Sequence, residues 1–171
     1  MIATGTVASP MIDPDIRRLL DTEFNTPAQE AMPGVAELRA AAEQAPLKLG
    51  GAPESIESVG DSSVRSVQGS SAVRVYRPRV DTASLVMLYA HGGGWVTGSL
   101  DSHDRLCRIL ANRLAAIIVA VDYRRAPEHT YPAALDDIES AWHWAHMHAA
   151  ELGGDGERFA VAGDSSGGNL V

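Results

Sequence analysis

Hydrophobic and polar positions follow a helical pattern over the first part of the chain. Asp13-Pro14 is an N-cap with proline at the first helical position, and apolar residues recur on one face from Ile16 to Phe24. A second amphipathic pattern runs from Val35 to Ala45, and Pro46 is expected to end it. We therefore predict that residues 1–50 form an N-terminal helical segment.

From residue 51 onward the pattern indicates strands that alternate with helices. Residues 72–76 alternate as in a half-buried strand, whereas the continuous apolar runs 85–90 and 116–121 are typical of strands covered on both faces. Residues 50–71, rich in Gly, Ser and Pro, predict a loop with a weak edge strand around 56–59.

Helical spacing recurs twice in the second half of the chain, and one more apolar run follows it. The predicted elements are helices over 106–114 and 135–149 and a last strand over 159–162. Strands alternating with helices are typical of an α/β fold with right-handed crossovers. Residues 51–171 are therefore expected to form a mostly parallel sheet with flanking helices.

Composition and charge exclude several classes of protein. Hydrophobic residues make up 45% of the chain and charged residues 21%, as in a globular domain and unlike a disordered one. The net charge of −8, without a Lys/Arg cluster, argues against nucleic acid or an anionic membrane as a partner. No stretch reaches the ~20 apolar residues of a membrane span, and no secretory signal begins the chain, so a cytoplasmic location is expected. Cys107, the single cysteine, is expected to be buried.

The pentapeptide Gly163-Asp164-Ser165-Ser166-Gly167 follows the last predicted strand and precedes a predicted helix. It matches G-x-S-x-G, the nucleophile elbow, in which a strained turn exposes a serine hydroxyl above the sheet. Gly163 and Gly167 leave room for that turn, and the helix amides after Ser165 face a developing oxyanion. The alternative for this motif alone is a tight glycine turn that ends a strand.

A second glycine-rich motif, His91-Gly92-Gly93-Gly94-Trp95, directly follows the apolar run 85–90. An α/β hydrolase contributes half of its oxyanion hole from this position. Glycines let backbone N–H groups approach negative charge without an intervening side chain, and each donor contributes about 2.7–4 kcal/mol to lowering the barrier. We predict that Gly93 and Gly94 are donors together with the Ser166 N–H. A phosphate-binding loop, the alternative, would end in Gly-Lys-Ser/Thr, which neither motif does.

Four segments, in this order and spacing, resemble the hormone-sensitive-lipase-like carboxylesterases of the α/β-hydrolase fold. They are His91–Trp95, Asp122–His129, Tyr131–Ala134 and Gly163–Leu170. The resemblance implies that Ser165 is the nucleophile, that Gly93, Gly94 and Ser166 line the oxyanion hole, and that the N-terminal helices form part of a cap over the acyl site. It also implies small uncharged esters as substrates. Arg125 departs from the usual Leu of the family, and Ser166 departs from the usual Ala.

The triad acid and histidine follow the serine in this fold, in the order Ser, Asp or Glu, His. Only residues 166–171 follow Ser165 in this chain. A serine hydroxyl is a poor nucleophile without a histidine that accepts its proton. We therefore expect the chain to be an incomplete, N-terminal portion of a hydrolase domain, a fragment of a longer protein, with negligible esterase turnover by itself.

All six histidines precede Ser165, and we expect a structural role for each. His143, His146 and His148 share one predicted helix, but no carboxylate or cysteine completes a zinc site, so neither a metal nor any other cofactor is predicted. Asp136 and Asp137, near the start of that helix, are attributed to the helix dipole.

Two functions are open at this point. The first is a serine carboxylesterase that works through an acyl-enzyme. The alternative is a catalytically silent module that binds a small molecule on a hydrolase scaffold. The intact elbow from Gly163 to Gly168 favours the enzyme, because a binding protein does not need a strained serine.

Overall fold

The computed structural model describes residues 12–24, 33–49, 51–66, 69–80 and 85–171. The helices are α1 (Pro14–Leu19), which continues into a π-helical turn (Leu20–Phe24), α2 (Val35–Leu49), α3 (Asp104–Leu114), α4 (Ala133–Met147), α5 (Ala149–Leu152) and α6 (Ser166–Leu170). The strands are β1 (Ser58–Ser66), β2 (Gly69–Arg77), β3 (Leu85–Ala90), β4 (Ile117–Asp122) and β5 (Arg158–Gly163).

The chain consists of two compact units, Met1–Met32 and Pro33–Val171. In the first, the predicted N-cap of α1 is confirmed, because the Asp13 carboxylate accepts the Asp15 N–H at 2.8 Å. The second unit contains α2 and the whole sheet. The separation of a cap segment, 1–50, from a catalytic domain, 51–171, stays a prediction.

The strands of the second unit form one sheet in the order β1-β2-β4-β3-β5. The strands β4, β3 and β5 run parallel, with β5 at the edge of the sheet, whereas β1 pairs with β2 and β2 with β4 in antiparallel register. The predicted parallel arrangement is therefore confirmed for the three strands that carry the continuous apolar runs and the elbow. The other two strands make the sheet a mixed one.

Helices cover both faces of this sheet. On one face α4 packs its buried Ile138 and Ala141 against strand residues such as Leu88 and Val119. On the other face α3 packs its buried Cys107 and Ala111 against the alternate strand residues. Cys107 is buried as predicted, and burial raises the pKa of its thiol to about 12.

The predicted weak edge strand is confirmed, but it is longer than the predicted 56–59 and replaces much of the loop predicted over residues 50–71. β1 occupies Ser58–Ser66, and the first residues of β2 complete an antiparallel pair with it. Because β1 lies at the edge of the sheet and most of its side chains are exposed, Val64 is its one fully buried residue. β1 shows no apolar alternation because most of its side chains are exposed, so burial places little demand on its sequence.

Pro46 does not end the second helix, contrary to the prediction. α2 continues to Leu49 with Pro46 inside its last turn. The guanidinium of Arg105 donates to the Pro46 carbonyl at 2.7 Å. Carbonyls of a last helical turn have no partner within the helix. This contact from α3 therefore stabilises the end of α2, where the sequence predicted that Pro46 would stop the helix.

The prediction that Asp137 interacts with the helix dipole was also wrong. Its carboxylate is fully buried and accepts hydrogen bonds from the Arg124 backbone N–H at 2.9 Å and from the Arg124 guanidinium. It therefore fixes the chain after β4 to helix α4. No helix in the described part of the chain is long and apolar enough to cross a membrane.

Candidate active site

The predicted elbow is a sharp turn between β5 and α6. Ser165 lies at its tip with φ 50° and ψ −120°, a conformation that a residue with a side chain rarely adopts. Such a backbone typically stores about 1–3 kcal/mol and persists only where the surroundings hold it. A Cβ on Gly163 would lie 2.5 Å from the Gly167 backbone, and one on Gly167 would overlap the Ala90 carbonyl. The glycines therefore let the turn lie directly against the end of β3.

The glycine loop begins where β3 ends, beside the elbow. β3 and β5 are adjacent and parallel, and Ala90 is paired in register with Gly163. Their carboxyl ends consequently meet at one edge of the sheet, which is where an open α/β sheet places its site. Gly93 and Gly94 both have positive φ, 128° and 61°, so the loop turns sharply away from the strand.

Two hydrogen bonds join the loop to the elbow. The Gly92 N–H donates to the Asp164 carboxylate at 2.9 Å, and the Trp95 N–H donates to the Ser166 hydroxyl at 3.3 Å. A side chain on Gly92 would collide with Asp164. The two motifs that the sequence singled out are thus in direct contact.

Several backbone N–H groups near Ser165 are left without a protein acceptor. Within the described residues, the amides of Gly93, Gly94 and Ser166 donate no hydrogen bond. Ser165 itself is exposed, and its hydroxyl makes no hydrogen bond with any described side chain. Free donors of this kind are what an oxyanion requires.

Two arginines hold the rest of the glycine loop. Arg39 of α2 donates from Nε to the Val96 carbonyl at 2.9 Å and from Nη2 to the Ala126 carbonyl at 3.0 Å. Arg125 donates to the Gly98 carbonyl. Arg125, which departs from the usual Leu of the family, places a positive charge beside this loop.

The buried side chain of His91 contacts the backbone of the glycine loop. Its ring stacks on Tyr123 with centroids 4.3 Å apart, and its Nδ1 lies 2.8 Å from the Gly92 carbonyl. This contact requires Nδ1 to carry the proton, because a carbonyl only accepts. Burial, more than any neighbouring charge, lowers the pKa of His91 to about 4, so the ring is neutral near pH 7.

Comparison with known proteins supports the fold described above. Residues 87–171 match a family model described as the alpha/beta hydrolase fold. The chain belongs to the α/β-hydrolase family. It is 47% identical over 169 residues to carboxylesterase NlhH of Mycobacterium tuberculosis, a match that covers 96% of this chain and 51% of that protein.

Other relatives of this α/β hydrolase are also esterases. It is 42% identical over 139 residues, 79% of the chain and 44% of the relative, to an ethyl acetate hydrolase of Pseudomonas putida. The solved structure of a hyperthermophilic esterase from Pyrobaculum calidifontis superposes with a TM-score of 0.85 at 40% identity, over 93% of this chain and 51% of that one. The chain spans about half the length of these relatives.

A cavity of about 380 Å³ lies next to the elbow, lined in part by residues of the glycine loop and of α6. Trp95 of the glycine loop and Leu170 of α6 contribute to its wall. Most of its lining is apolar, and Arg124, His129 and Asn169 add polar groups. A cavity of this size and character fits a small, mainly apolar molecule.

The remaining histidines of α4 and its C-terminus have local partners. His146 Nδ1 lies 2.9 Å from the Trp142 carbonyl, and His148 Nδ1 lies 2.8 Å from the Trp144 carbonyl. Across the described ranges, His, Cys, Asp and Glu form no group of three or more that would hold a metal ion.

Two residues of the site could not be found from the sequence. Arg39 reaches the loop from a helix 57 residues away from Val96, and nothing in its local sequence indicates this contact. His103, to which a general structural role was assigned, lies 3.3 Å from the Asp164 carboxylate beside the nucleophile. The sequence carried one signal for His103, its position directly before α3 and after the glycine loop.

Proposed function

We propose that this protein is a carboxylic ester hydrolase with Ser165 as its nucleophile and the amides of Gly93, Gly94 and Ser166 as its oxyanion hole. The observation that carries the proposal is the strained Ser165 turn bonded to a glycine loop that has free amides. Protein positions with such strain cluster at active sites. The esterase relatives support the same class of reaction.

In the reaction proposed, the Ser165 oxygen attacks the acyl carbonyl and a new C–O bond forms. The carbonyl oxygen becomes negative and accepts hydrogen bonds from the three amides, which lowers the barrier. The ester C–O bond then breaks and the alcohol leaves with a proton. Water later hydrolyses the acyl-enzyme and restores the serine hydroxyl.

A general base must accept the Ser165 proton for this sequence to be fast. No described side chain forms a hydrogen bond with that hydroxyl, and in this fold the acid and the histidine follow the serine along the chain. We therefore propose that they belong to the part of the protein that corresponds to the other half of its relatives. Residues 1–171 alone are expected to retain at most the ~10³–10⁴-fold effect over water that binding and an oxyanion hole provide.

Small uncharged esters are the proposed substrates. The mainly apolar cavity beside Trp95 and Leu170 supports an uncharged acyl or alcohol group, and its volume of about 380 Å³ favours a short one. The name of the Pseudomonas putida relative, an ethyl acetate hydrolase, is in keeping with this size.

The test is covalent labelling of the natural protein. A fluorophosphonate probe is added to extracts of the source cells, and mass spectrometry searches for the adduct on the peptide that starts at Phe159 and contains Ser165. The intact mass of the labelled polypeptide gives its full length. An unlabelled Ser165 in a sample where the peptide itself is detected would exclude the esterase and favour the silent binding module.

A pair of neighbouring serines provides the matched control. In the polypeptide so identified, Ser165→Ala is expected to lower kcat for p-nitrophenyl acetate by about 10⁴-fold or more. Ser166→Ala keeps its backbone N–H and should stay within a few-fold of the wild type, although it loses the contact with Trp95 N–H. Equal losses from both substitutions would contradict the proposed roles.

A further inference from the structure

The Asp164 carboxylate is the meeting point of three segments. Its Oδ1 accepts hydrogen bonds from the Tyr89 hydroxyl of β3 at 2.7 Å and from the Gly92 N–H at 2.9 Å, and it lies 3.3 Å from His103 Nε2. Burial opposes ionisation of this group. The Tyr89 and Gly92 hydrogen bonds and the charge of His103 outweigh burial and hold the pKa of Asp164 below its ordinary value.

His103 is held in place on both sides of its ring. Its Nδ1 lies 2.9 Å from the Ser102 hydroxyl, and that hydroxyl in turn accepts the Ser99 N–H at 2.8 Å and contacts the Ser99 carbonyl at 3.0 Å. The ring lies between Tyr89 and His91, with centroids 6.2 and 5.4 Å away. Its side chain is 19% exposed, so its orientation is set by the protein.

The order Ser102, His103, Asp164 repeats the residue types of a catalytic triad, but it cannot act as one. Ser102 is 9% exposed, and its hydroxyl is engaged by both backbone groups of Ser99. A nucleophile must reach a substrate carbonyl, which a saturated and buried hydroxyl cannot do. The chain of contacts therefore ends in a turn and serves to hold His103.

Each ring nitrogen of His103 has one polar neighbour, Ser102 at Nδ1 and Asp164 at Nε2. A carboxylate only accepts, so a hydrogen bond from His103 to Asp164 requires the proton on Nε2, which lies 3.3 Å from Oδ1. In the neutral ring, Nδ1 accepts the Ser102 O–H; in the cation, Nδ1 donates to the Ser102 oxygen, which then donates to the Ser99 carbonyl. Both forms carry a proton on Nε2, the ring nitrogen that lies 3.3 Å from the Asp164 carboxylate.

Asp164 directly precedes Ser165 and directly binds the N–H of Gly92, which precedes the candidate donors Gly93 and Gly94. One carboxylate thus sets the distance between the nucleophile and the oxyanion amides. If His103 is lost, the Tyr89 and Gly92 hydrogen bonds remain, but the carboxylate loses the ring at 3.3 Å and gains freedom to rotate. A displacement of about 1 Å in such a site costs up to ~10²-fold in rate.

We propose that His103 is a positioning residue that fixes the oxyanion loop relative to Ser165 through the Asp164 carboxylate. The proposal rests on the ester hydrolysis proposed above, and it deepens that proposal by assigning a residue whose sequence context indicated no more than a structural role.

The first test needs no substrate and uses the whole 171-residue chain. The backbone N–H of Gly92 is followed by NMR in wild type, His103→Gln and His103→Ala. Gln places an amide N–H near the position of Nε2, so the Gly92 resonance should stay close to that of wild type. Ala should shift the resonance upfield and speed its hydrogen exchange, because the bond to the carboxylate lengthens.

Two further variants keep this test decisive. His103→Asn, which is polar but too short to reach Asp164, replaces His103→Ala if the latter does not fold, and it should behave like Ala. His143→Ala, at an exposed position of α4, should leave Gly92 unchanged. An unmoved Gly92 resonance in His103→Ala or His103→Asn would overturn the proposal.

The second test is kinetic and uses the labelled polypeptide defined above. Because the oxyanion exists only in the transition state, His103→Ala should lower kcat by about ten- to hundredfold and leave KM within twofold. His103→Gln should recover most of kcat. A Gln variant no better than Ala, or a loss confined to KM, would contradict positioning. If the wild type itself hydrolyses no ester, the proposed function fails, whereas the Gly92 measurement still decides the role of His103.

Discussion

Arg124 and Asp137 form a bidentate ion pair between the end of β4 and helix α4, with both Arg124 Nε and Nη2 at 2.9 Å from carboxylate oxygens. The Asp137 carboxylate is fully buried, and the Arg124 backbone N–H completes its hydrogen bonding. Arg124 also lines the cavity beside the elbow. The pair therefore connects the packing of α4 to the wall of the candidate site.

Removal of one partner from this ion pair should strongly destabilise the folded protein. We expect Asp137→Ala to lower the free energy of unfolding by about 3–5 kcal/mol, because the Arg124 guanidinium would be left without its buried counter-charge. Urea denaturation measures the change. Glu139→Ala, two residues along the same helix but exposed, is the control and should stay within about 0.5 kcal/mol. Equal losses of unfolding free energy in Asp137→Ala and Glu139→Ala would contradict the role assigned to burial of the pair.

Gly167 should not accept even a methyl group. A Cβ there would overlap the backbone carbonyls of Ala90 and His91, neither of which can rotate away as a side chain would. Gly167→Ala is expected to destabilise the protein by about 1–3 kcal/mol in thermal or urea unfolding. Gly60→Ala, where the added carbon meets nothing within 4 Å, should be close to neutral. A neutral Gly167→Ala would refute the close approach of the elbow to β3.

His91 should make the stability of the protein depend on pH. Its pKa falls from an ordinary 6.5 to about 4 in the folded state, so between these values the unfolded chain binds the proton and the folded chain does not. Stability from this group is complete above pH 6.5 and is lost as the pH falls toward 4, at a slope that approaches ~1.4 kcal/mol per pH unit.

The measurement compares urea unfolding at several pH values between 7 and 4 for wild type and His91→Gln. Subtracting the His91→Gln curve from the wild-type curve removes the contribution of the carboxylates, which titrate over the same pH range in both proteins. The exposed His143→Gln should give the wild-type slope. If the unfolding free energy of His91→Gln changes with pH as steeply as that of the wild type, the folded state protonates His91 as readily as the unfolded chain does.

Arg39 should stabilise the glycine loop from α2. Its guanidinium binds the Val96 and Ala126 carbonyls and forms a bidentate pair with Glu128 at 2.7 and 2.8 Å. We expect Arg39→Gln to cost about 1–2 kcal/mol of unfolding free energy and to speed hydrogen exchange at the amides of Val96 and Thr97.

The same substitution should also be visible in a titration. The Arg39 hydrogen bond lowers the pKa of Glu128 to about 2, and the Glu128 pKa should return toward its ordinary value in Arg39→Gln. Arg113→Gln, which removes an exposed guanidinium 3.6 Å from Glu54, is the control. Unchanged exchange at Val96 would mean that the loop is held without Arg39.

The sequence by itself determined the features that local chemistry dictates. Continuous apolar runs predicted β3 and β4, because strands covered on both faces have few polar positions. The glycines around Ser165 and after His91 predicted two tight turns, because few other residues fit there. Parallel β3 and β5 then bring these turns to one edge of the sheet. This much of the fold and of the candidate site could be predicted without coordinates.

Tertiary structure decided the contacts between residues that are distant along the chain. β1 has no apolar pattern, since most of its side chains are exposed at the sheet edge, and α2 runs through Pro46, whose carbonyl accepts a hydrogen bond from Arg105. Likewise, the short segments around Arg39 and His103 do not indicate what either side chain contacts. Their roles arise from side chains that meet across the fold, so periodicity and motif spacing, which describe neighbours in sequence, could not reveal them.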